Sequence, residues 1–259
     1  MTLAPFGRRL AEVTAVERLG AYTVIMVVDP HQPEPGQFYM LATETGWGGG
    51  AGERPYLPRA FSHARAADGK LQFLFEDVGP GTHRLAAVER GESLWLTGPL
   101  GSGFGPPQGR ALLVGGGIGV APLVALSDDV DGPVLLGFRT ALHAEAASLF
   151  PEQPKLVTDD GSMGRRGLVT ELLREELDED ADATVFACGP PAMLEAVRAL
   201  CAERDVPAQL ALESGMACGF GACFGCVVPT RAGYIRVCVD GPVVEAAALE
   251  TALVPGTGH

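Results

Sequence analysis

Four cysteines near the C-terminus constrain this chain more than any other feature. Cys218, Cys223 and Cys226 follow the pattern C-x4-C-x2-C within Glu-Ser-Gly-Met-Ala-Cys-Gly-Phe-Gly-Ala-Cys-Phe-Gly-Cys, and Cys238 follows after one short hairpin. That is the spacing of plant-type 2Fe–2S centres. Four thiolates must converge on two irons that share bridging sulfides, and a tight loop presents three of them only if its backbone turns sharply. Gly219, Gly221 and Gly225 are placed to allow such turns and a close approach of N–H groups to sulfur. A cluster moves one electron at a time, so the chain reads as a wire.

Two other uses of the cysteines stay open at this level. Structural zinc sites show two short C-x(2–4)-C knuckles, and Cys226 and Cys238 are too far apart to form the second. Six cysteines in all could pair as disulfides. A chain of 259 residues with 47% hydrophobic residues has a core that needs no staples. Cys201, in an expected helix, reads as a small buried hydrophobe.

The net charge of −13 argues against nucleic acid and against an anionic membrane surface as partners. No apolar run reaches the roughly 20 residues of a spanning helix. The start, Met-Thr-Leu-Ala-Pro-Phe-Gly-Arg-Arg, lacks the apolar stretch of a signal peptide, so a cytoplasmic, reducing location is expected.

The expected fold is α/β plus β in three parts: a β-barrel over 1–105, an open parallel α/β domain over 106–206 and a small cysteine-bearing unit over 207–259. Short strands separated by Gly and Pro are expected at Arg9–Leu19, Tyr22–Val28, Gln37–Thr43, Arg59–Ala64, Leu71–Asp77 and Ser93–Thr97. Gly46–Glu53 reads as a glycine-rich loop. Beyond Arg110 strands alternate with helices. The strands are Ala111–Val114, Val134–Phe138, Lys155–Thr158, Thr184–Ala187 and Gln209–Leu212, and the helices lie near His143–Leu149, Leu168–Leu177 and Pro191–Glu203. Val239–Pro242 reads as a turn.

Gly115-Gly116-Gly117-Ile118-Gly119-Val120-Ala121-Pro122 follows the first strand of the α/β part and opens a helix. Small residues there let a backbone approach a pyrophosphate, although the run is not a clean G-x-G-x-x-G and also suits a tight turn. Cys188-Gly189-Pro190 ends a later strand, at the edge where such sheets bind ligands. Cys188 there suits a place facing a nicotinamide or a buried strand end. In Val78-Gly79-Pro80-Gly81-Thr82-His83, Thr82 is positioned to cap a helix whose first N–H groups would make an anion site.

The order Arg59-Ala60-Phe61-Ser62, then Gly79-Pro80-Gly81-Thr82, then the glycine run, then Cys188-Gly189-Pro190, resembles the ferredoxin–NADP reductase superfamily. The stretches around Cys218–Cys226 and Val237–Val243 narrow the resemblance to the electron-transfer subunits of NAD-dependent dihydroorotate dehydrogenase. It covers nearly the whole chain. It implies a barrel that binds FAD, with Arg59 on the pyrophosphate, Ala60, Phe61 and Ser62 beside the flavin, Leu74, Phe75 and Glu76 on a strand lining it, and Gly81 and Thr82 at the pyrophosphate turn. Phe61 stands where the superfamily commonly has tyrosine, Ala60 where proline is frequent, and Gly215 where the subunit family commonly has arginine. The resemblance further implies NAD(H) at Gly115, Gly117, Gly119, Cys188, Gly189 and Pro190, and a 2Fe–2S cluster on Cys218, Cys223, Cys226 and Cys238.

By the same resemblance, a separate FMN-containing catalytic subunit oxidises dihydroorotate in pyrimidine biosynthesis, two of each chain form a heterotetramer, and no substrate-level catalytic residue is expected here. The alternatives are the small FAD and 2Fe–2S subunit of a bifurcating NADH–ferredoxin oxidoreductase or a sulfide dehydrogenase and, in a different class, a zinc-stabilised interaction module or a flavin-binding regulator. His63 and His83 read as surface or loop residues. Arg165 and Arg166 suit a 2′-phosphate or a solvated turn.

Overall fold

The computed structural model describes residues 7–48 and 55–254. Of the glycine-rich segment Gly46–Glu53, residues 49–53 lie outside the described residues. Strands β1 (Arg9–Leu19), β2 (Tyr22–Val28), β3 (Phe38–Thr43), β4 (Arg59–Ala67), β5 (Lys70–Glu76) and β6 (Ser93–Leu100), with helix α1 (Pro80–Ala86) before the last, build the first part. They close into a barrel in the order β1-β2-β5-β4-β3-β6. Closure follows from period-2 patterning. In β6 every second residue is buried, and Leu94 and Leu96 meet Val13, Ile25, Leu41 and Phe73 inside the barrel. A bulge between His63 and Arg65 in β4 shifts its register against β5, and His63 and Ala64 are buried in succession there.

The second part runs β7 (Arg110–Gly116), a 3-10 turn (Gly117–Gly119), α2 (Val120–Ser127), β8 (Val134–Phe138), α3 (Ala141–Ala144) with a 3-10 turn to Leu149, β9 (Lys155–Thr158), β10 (Arg165–Arg166), α4 (Val169–Glu179), β11 (Ala183–Cys188), α5 (Pro191–Glu203) and β12 (Ala208–Ala211). Strands β13 (Val227–Thr230) and β14 (Gly233–Arg236), helix α6 (Val237–Asp240) and β15 (Val243–Glu245) complete the chain. The sheet order is β10-β9-β8-β7-β11-β12-β15, parallel except that β15 returns antiparallel to β12. The cysteine loop and the β13–β14 hairpin are thus an excursion from the edge of this sheet. Both faces are covered, as a buried parallel sheet requires. Leu112 and Val114 of β7 face α4 and α5, and Ala111 and Leu113 face α2.

Several expectations need correction. The expected helix at His143–Leu149 is one turn of α-helix followed by a 3-10 turn. The expected turn at Val239–Pro242 begins inside α6 and ends in a cis Gly241–Pro242 bond. His63 is no surface residue. It is 1% exposed on β4, and burial pushes its imidazole down to about 4 despite a backbone hydrogen bond at Gln37.

The barrel and the α/β part share cores. Tyr22, Val24, Ala64 and Leu74 of the barrel pack with α2, while Phe38, Met40 and Leu100 pack with the cysteine-bearing segment. Polar ties add direction. Arg65 forks onto Asp128 at 2.9 and 3.1 Å and reaches the Leu149 carbonyl, and the Ala21 N–H donates to the Leu142 carbonyl at 3.1 Å.

Candidate functional site

Three clusters of residues meet around the barrel. The first is the cysteine loop. Its four sulfurs are arranged as two pairs. Cys226 and Cys238 are buried with sulfurs 3.2 Å apart, and the thiols of Cys218 and Cys223 are hydrogen-bonded to each other. Among the described residues no three His, Cys, Asp or Glu side chains form a group suited to a single metal ion. Two pairs of thiols are the donor set that a centre of two irons takes. Backbone N–H groups aim at the sulfurs: Gly221 at Cys238 (3.1 Å), Gly225 at Cys223 (3.4 Å) and Cys238 at Cys226 (3.5 Å). Burial raises the Cys218 thiol, but hydrogen bonds from the backbone of Phe220, Cys223 and Ala222 and from the Cys223 thiol outweigh it and bring it down to about 6. Burial, with the Cys226 thiol beside it, pushes Cys238 up to about 12.

The backbone achieves this partly as expected. Gly219 and Gly221 adopt φ of +78° and +83°. Gly225 does not; the third left-handed residue is Phe224, with φ +58°, held under the Arg236 guanidinium at 5.6 Å. Such a conformation in a bulky residue costs about 1–3 kcal/mol and persists only where the surroundings impose it.

The loop is seated on the barrel. A Cβ on Gly219 would meet Met40 Cγ at 2.6 Å, so only glycine brings the loop this close. Met40 pairs across the ladder with Ala60. The cysteine loop therefore lies one strand away from Arg59-Ala60-Phe61-Ser62.

That motif forms the second cluster. Arg59 and Gly81 come together: a Cβ on Gly81 would lie 2.7 Å from Arg59 Nε, so the guanidinium rests directly over the first turn of α1. Arg59 also donates to the Leu57 carbonyl (2.7 Å) and lies 5.9 Å from the Trp47 ring. Thr82 does not cap the helix from outside. It is the third helical residue, and its hydroxyl accepts from the N–H groups of Val78 (2.9 Å) and Gly79 (3.0 Å), which shapes the turn. Phe61 and Phe75 are tilted against each other at 5.4 Å. Phe75 and Leu74 are buried in two different cores, and Ser62 and Ala60 are half-buried on the same strand as Arg59. A cationic residue over a glycine turn beside an aromatic, half-buried strand suits a dinucleotide diphosphate and its ring.

The third cluster lies at the C-terminal edge of the parallel sheet. Gly115 and Gly116 are the last two residues of β7, and Gly117–Gly119 make the turn into α2. Gly119 approaches Cys188 and Gly189 so closely that a Cβ would sit 2.5 Å from their backbone atoms, while Gly117 faces open space. Pro190, exposed, caps the start of α5. The structure thus brings the two glycine signatures, 115–119 and 188–190, into one rim. Cys188 is half-buried at the end of β11, and burial, reinforced by the Glu213 carboxylate, pushes its thiol up to about 12. Arg165 is engaged by Glu175 at 2.8 Å and Glu171 at 3.7 Å, and Arg166 Nε donates to the Asp159 carbonyl.

Two participants escaped the sequence reading. Glu213 adjoins Cys188 from 25 residues away, and Arg139, at the end of β8, reaches Glu76 of the barrel at 2.9 Å. A charged residue directly after a parallel strand was the available signal for Arg139.

Comparisons with known proteins agree with this geometry. The family described as the iron–sulfur cluster binding domain of dihydroorotate dehydrogenase B matches residues 213–250, and an oxidoreductase NAD-binding domain matches 146–199. A dihydroorotate dehydrogenase B (NAD(+)) electron transfer subunit of Clostridium acetobutylicum is 38% identical over 216 residues, covering 81% of this chain and 83% of that protein. One from Geobacillus kaustophilus is 39% identical, covering 82% and 85%. A probable subunit of the same name from Methanopyrus kandleri is 35% identical, covering 88% and 86%. Among solved structures, a chain of NADH-dependent reduced ferredoxin–NADP oxidoreductase superposes with TM-score 0.77 over 95% of this chain and 91% of its own, at 23% identity, a likeness of fold. A ferredoxin reductase of carbazole 1,9a-dioxygenase superposes with TM-score 0.65 at 26% identity, over 80% of this chain and 68% of its own.

Proposed function

The chain belongs to the family of dihydroorotate dehydrogenase B (NAD(+)) electron-transfer subunits, and on that premise we propose that it carries electrons between a catalytic partner subunit and NAD+ by way of a 2Fe–2S centre and FAD. The partner holds FMN and oxidises dihydroorotate to orotate in pyrimidine biosynthesis, and two copies of each chain assemble. Residues 1–105 form the FAD-binding part and 106–206 most of the pyridine-nucleotide part; the expected cluster part, 207–259, also contains β12 and β15 of the nucleotide sheet, so the cluster is carried by the loop and hairpin between those two strands. The complex works in the cytoplasm; among the described residues no helix is long and apolar enough to cross a membrane.

Flavin supplies the exchange between a hydride and single electrons, and the cluster supplies the single-electron carrier. The chain's residues supply position. Cys218, Cys223, Cys226 and Cys238 hold the cluster, with the N–H groups of Gly221, Gly225 and Cys238 turned to the sulfurs. Arg59, Gly81 and Thr82 hold the FAD diphosphate, and Ala60, Phe61, Ser62, Leu74, Phe75 and Glu76 frame the flavin. Gly115, Gly117, Gly119, Cys188, Gly189 and Pro190 form the rim for NAD.

The observation that carries this reading is the seating of Gly219 on Met40, beside Ala60. One barrel strand pair has the cluster loop on one flank and the flavin motif on the other, which makes a short path. An anaerobic absorbance spectrum of the purified chain before and after NADH tests it. Flavin bands over a broad iron–sulfur envelope, both bleached by NADH, are expected. A colourless protein with stoichiometric zinc, made with iron and flavin available, would refute it.

A further inference from the structure

Arg139 Nη2 lies 2.9 Å from both carboxylate oxygens of Glu76, and His143 Nε2 lies 3.0 Å from that nitrogen and 3.5 Å from Glu76. Glu76 ends barrel strand β5, and Arg139 follows β8 of the α/β sheet. The pair bridges the crevice between the two parts. Its setting is unusual for a structural tie. The Arg139 side chain is 64% exposed, and such pairs contribute little to stability. The register Gly116↔Gly137 puts Arg139 just past the strand end that neighbours the Gly117–Gly119 turn, where a Cβ on Gly117 would meet nothing. Below the pair, the Tyr22 hydroxyl is fully buried with no hydrogen-bond partner. The arginine is thus held at its tip by the Glu76 carboxylate and the His143 ring, with most of its side chain exposed at the rim of the crevice.

We propose that Arg139 is a positioning residue for the coenzyme, which it binds by exchanging Glu76 for the diphosphate of NAD(H). This deepens the NAD reading given above and rests on it. A guanidinium pairs with a carboxylate or a phosphate through charge-assisted hydrogen bonds, so replacing Glu76, which Nη2 alone contacts, by a diphosphate conserves the charge pairing and lets the full fork engage. The released Glu76 keeps His143 within 3.5 Å. Glu76 is then a competitor that holds the arginine in place when the rim is empty and is displaced as coenzyme enters. Because the diphosphate does not react, the contact contributes equally to substrate and transition state. It therefore acts on KM more than on kcat.

The test is calorimetric titration of NAD+ into the FAD- and cluster-loaded chain, with Arg139→Ala, Arg139→Lys and Glu76→Gln, alongside flavin content and NADH–ferricyanide kinetics. Arg139→Ala weakens NAD+ about ten- to hundred-fold, as loss of a charge-assisted contact does. Arg139→Lys, which keeps the charge without the fork, recovers part of that loss. Glu76→Gln tightens NAD+ about two- to five-fold, because the competing ion pair is gone. A plain domain tie makes the opposite prediction: both positions lower the melting midpoint alike and leave NAD+ affinity unchanged. Affinity within two-fold of the unaltered chain in both arginine variants overturns the exchange alone, and so does a Glu76→Gln variant that weakens NAD+. No NAD+ binding by the unaltered chain overturns the coenzyme reading and the exchange with it.

Discussion

Replacing Gly119 with alanine probes the tightest backbone approach at the nucleotide rim. The glycine has φ −61°, which any residue adopts, so the perturbation is purely steric. The new Cβ would lie 2.5 Å from the carbonyl carbon and oxygen of Cys188 and from the Gly189 nitrogen. Ordinary contact begins near 3.4 Å, so the turn and the end of β11 must part by about 1 Å. All three opposing atoms are backbone, and no rotamer change relieves them. Overpacking of this kind costs roughly 1–3 kcal/mol. For a chain of this size each kcal/mol lowers the melting midpoint by about 2–4 °C, a fall of roughly 2–12 °C in all. The effect on function is larger, because a shift of about 1 Å in one reacting partner costs on the order of a hundred-fold in rate. Stopped-flow bleaching of the flavin by NADH, with dithionite reduction and flavin and iron content as references, separates the two. NADH bleaching slows about ten- to hundred-fold while the reference values hold. Bleaching within two-fold of the unaltered rate would refute the argument that this approach aligns the nucleotide rim with the flavin.

Cys226→Ser removes a buried thiol 3.2 Å from Cys238; iron analysis shows loss of the cluster while flavin content and NADH–ferricyanide turnover persist. The Glu195 carboxyl is held down to about 2, chiefly by Arg198 and also by the Ala252 N–H and Thr251 hydroxyl that tie the C-terminal segment to α5. Its contribution to stability is complete above its ordinary value of 4.5 and is lost as pH falls toward 2, so Glu195→Gln flattens that part of the acid-unfolding curve. His63 titrates at about 4 in the fold against 6.5 unfolded, so the fold favours its neutral form. That preference is complete above about pH 6.5 and is lost as pH falls to 4. His63→Leu, which also removes an unpartnered buried Nδ1, flattens thermal stability over that window.

The barrel and sheet were legible because their signals are local. Alternation in Ser93–Thr97, the apolar run Ala111–Val114 and the strand Val134–Phe138 each report burial on one or both faces, and the structure forms strands there. His63 was misread for the converse reason. The bulge between His63 and Arg65 rotates a polar residue inward, and nothing in the local pattern marks it. Thr82 was assigned to the helix cap, but Pro80 starts the helix two residues earlier and Gly79 takes the cap position. Phe224 in a left-handed conformation was unreadable, since bulky residues rarely adopt one and only the surrounding loop and Arg236 impose it.

The sequence alone marked Cys218, Cys223, Cys226 and the two glycine turns as sites, because the C-x4-C-x2-C run and each turn lie within a dozen residues of continuous chain. Only the tertiary structure decided what these parts do to one another. Gly219 on Met40, Gly119 on Cys188 and Arg139 on Glu76 join residues 63 or more apart in sequence, wherever two packed layers happen to meet. A local pattern encodes how a segment buries its own face. Which other segment covers that face depends on the packing of the whole chain.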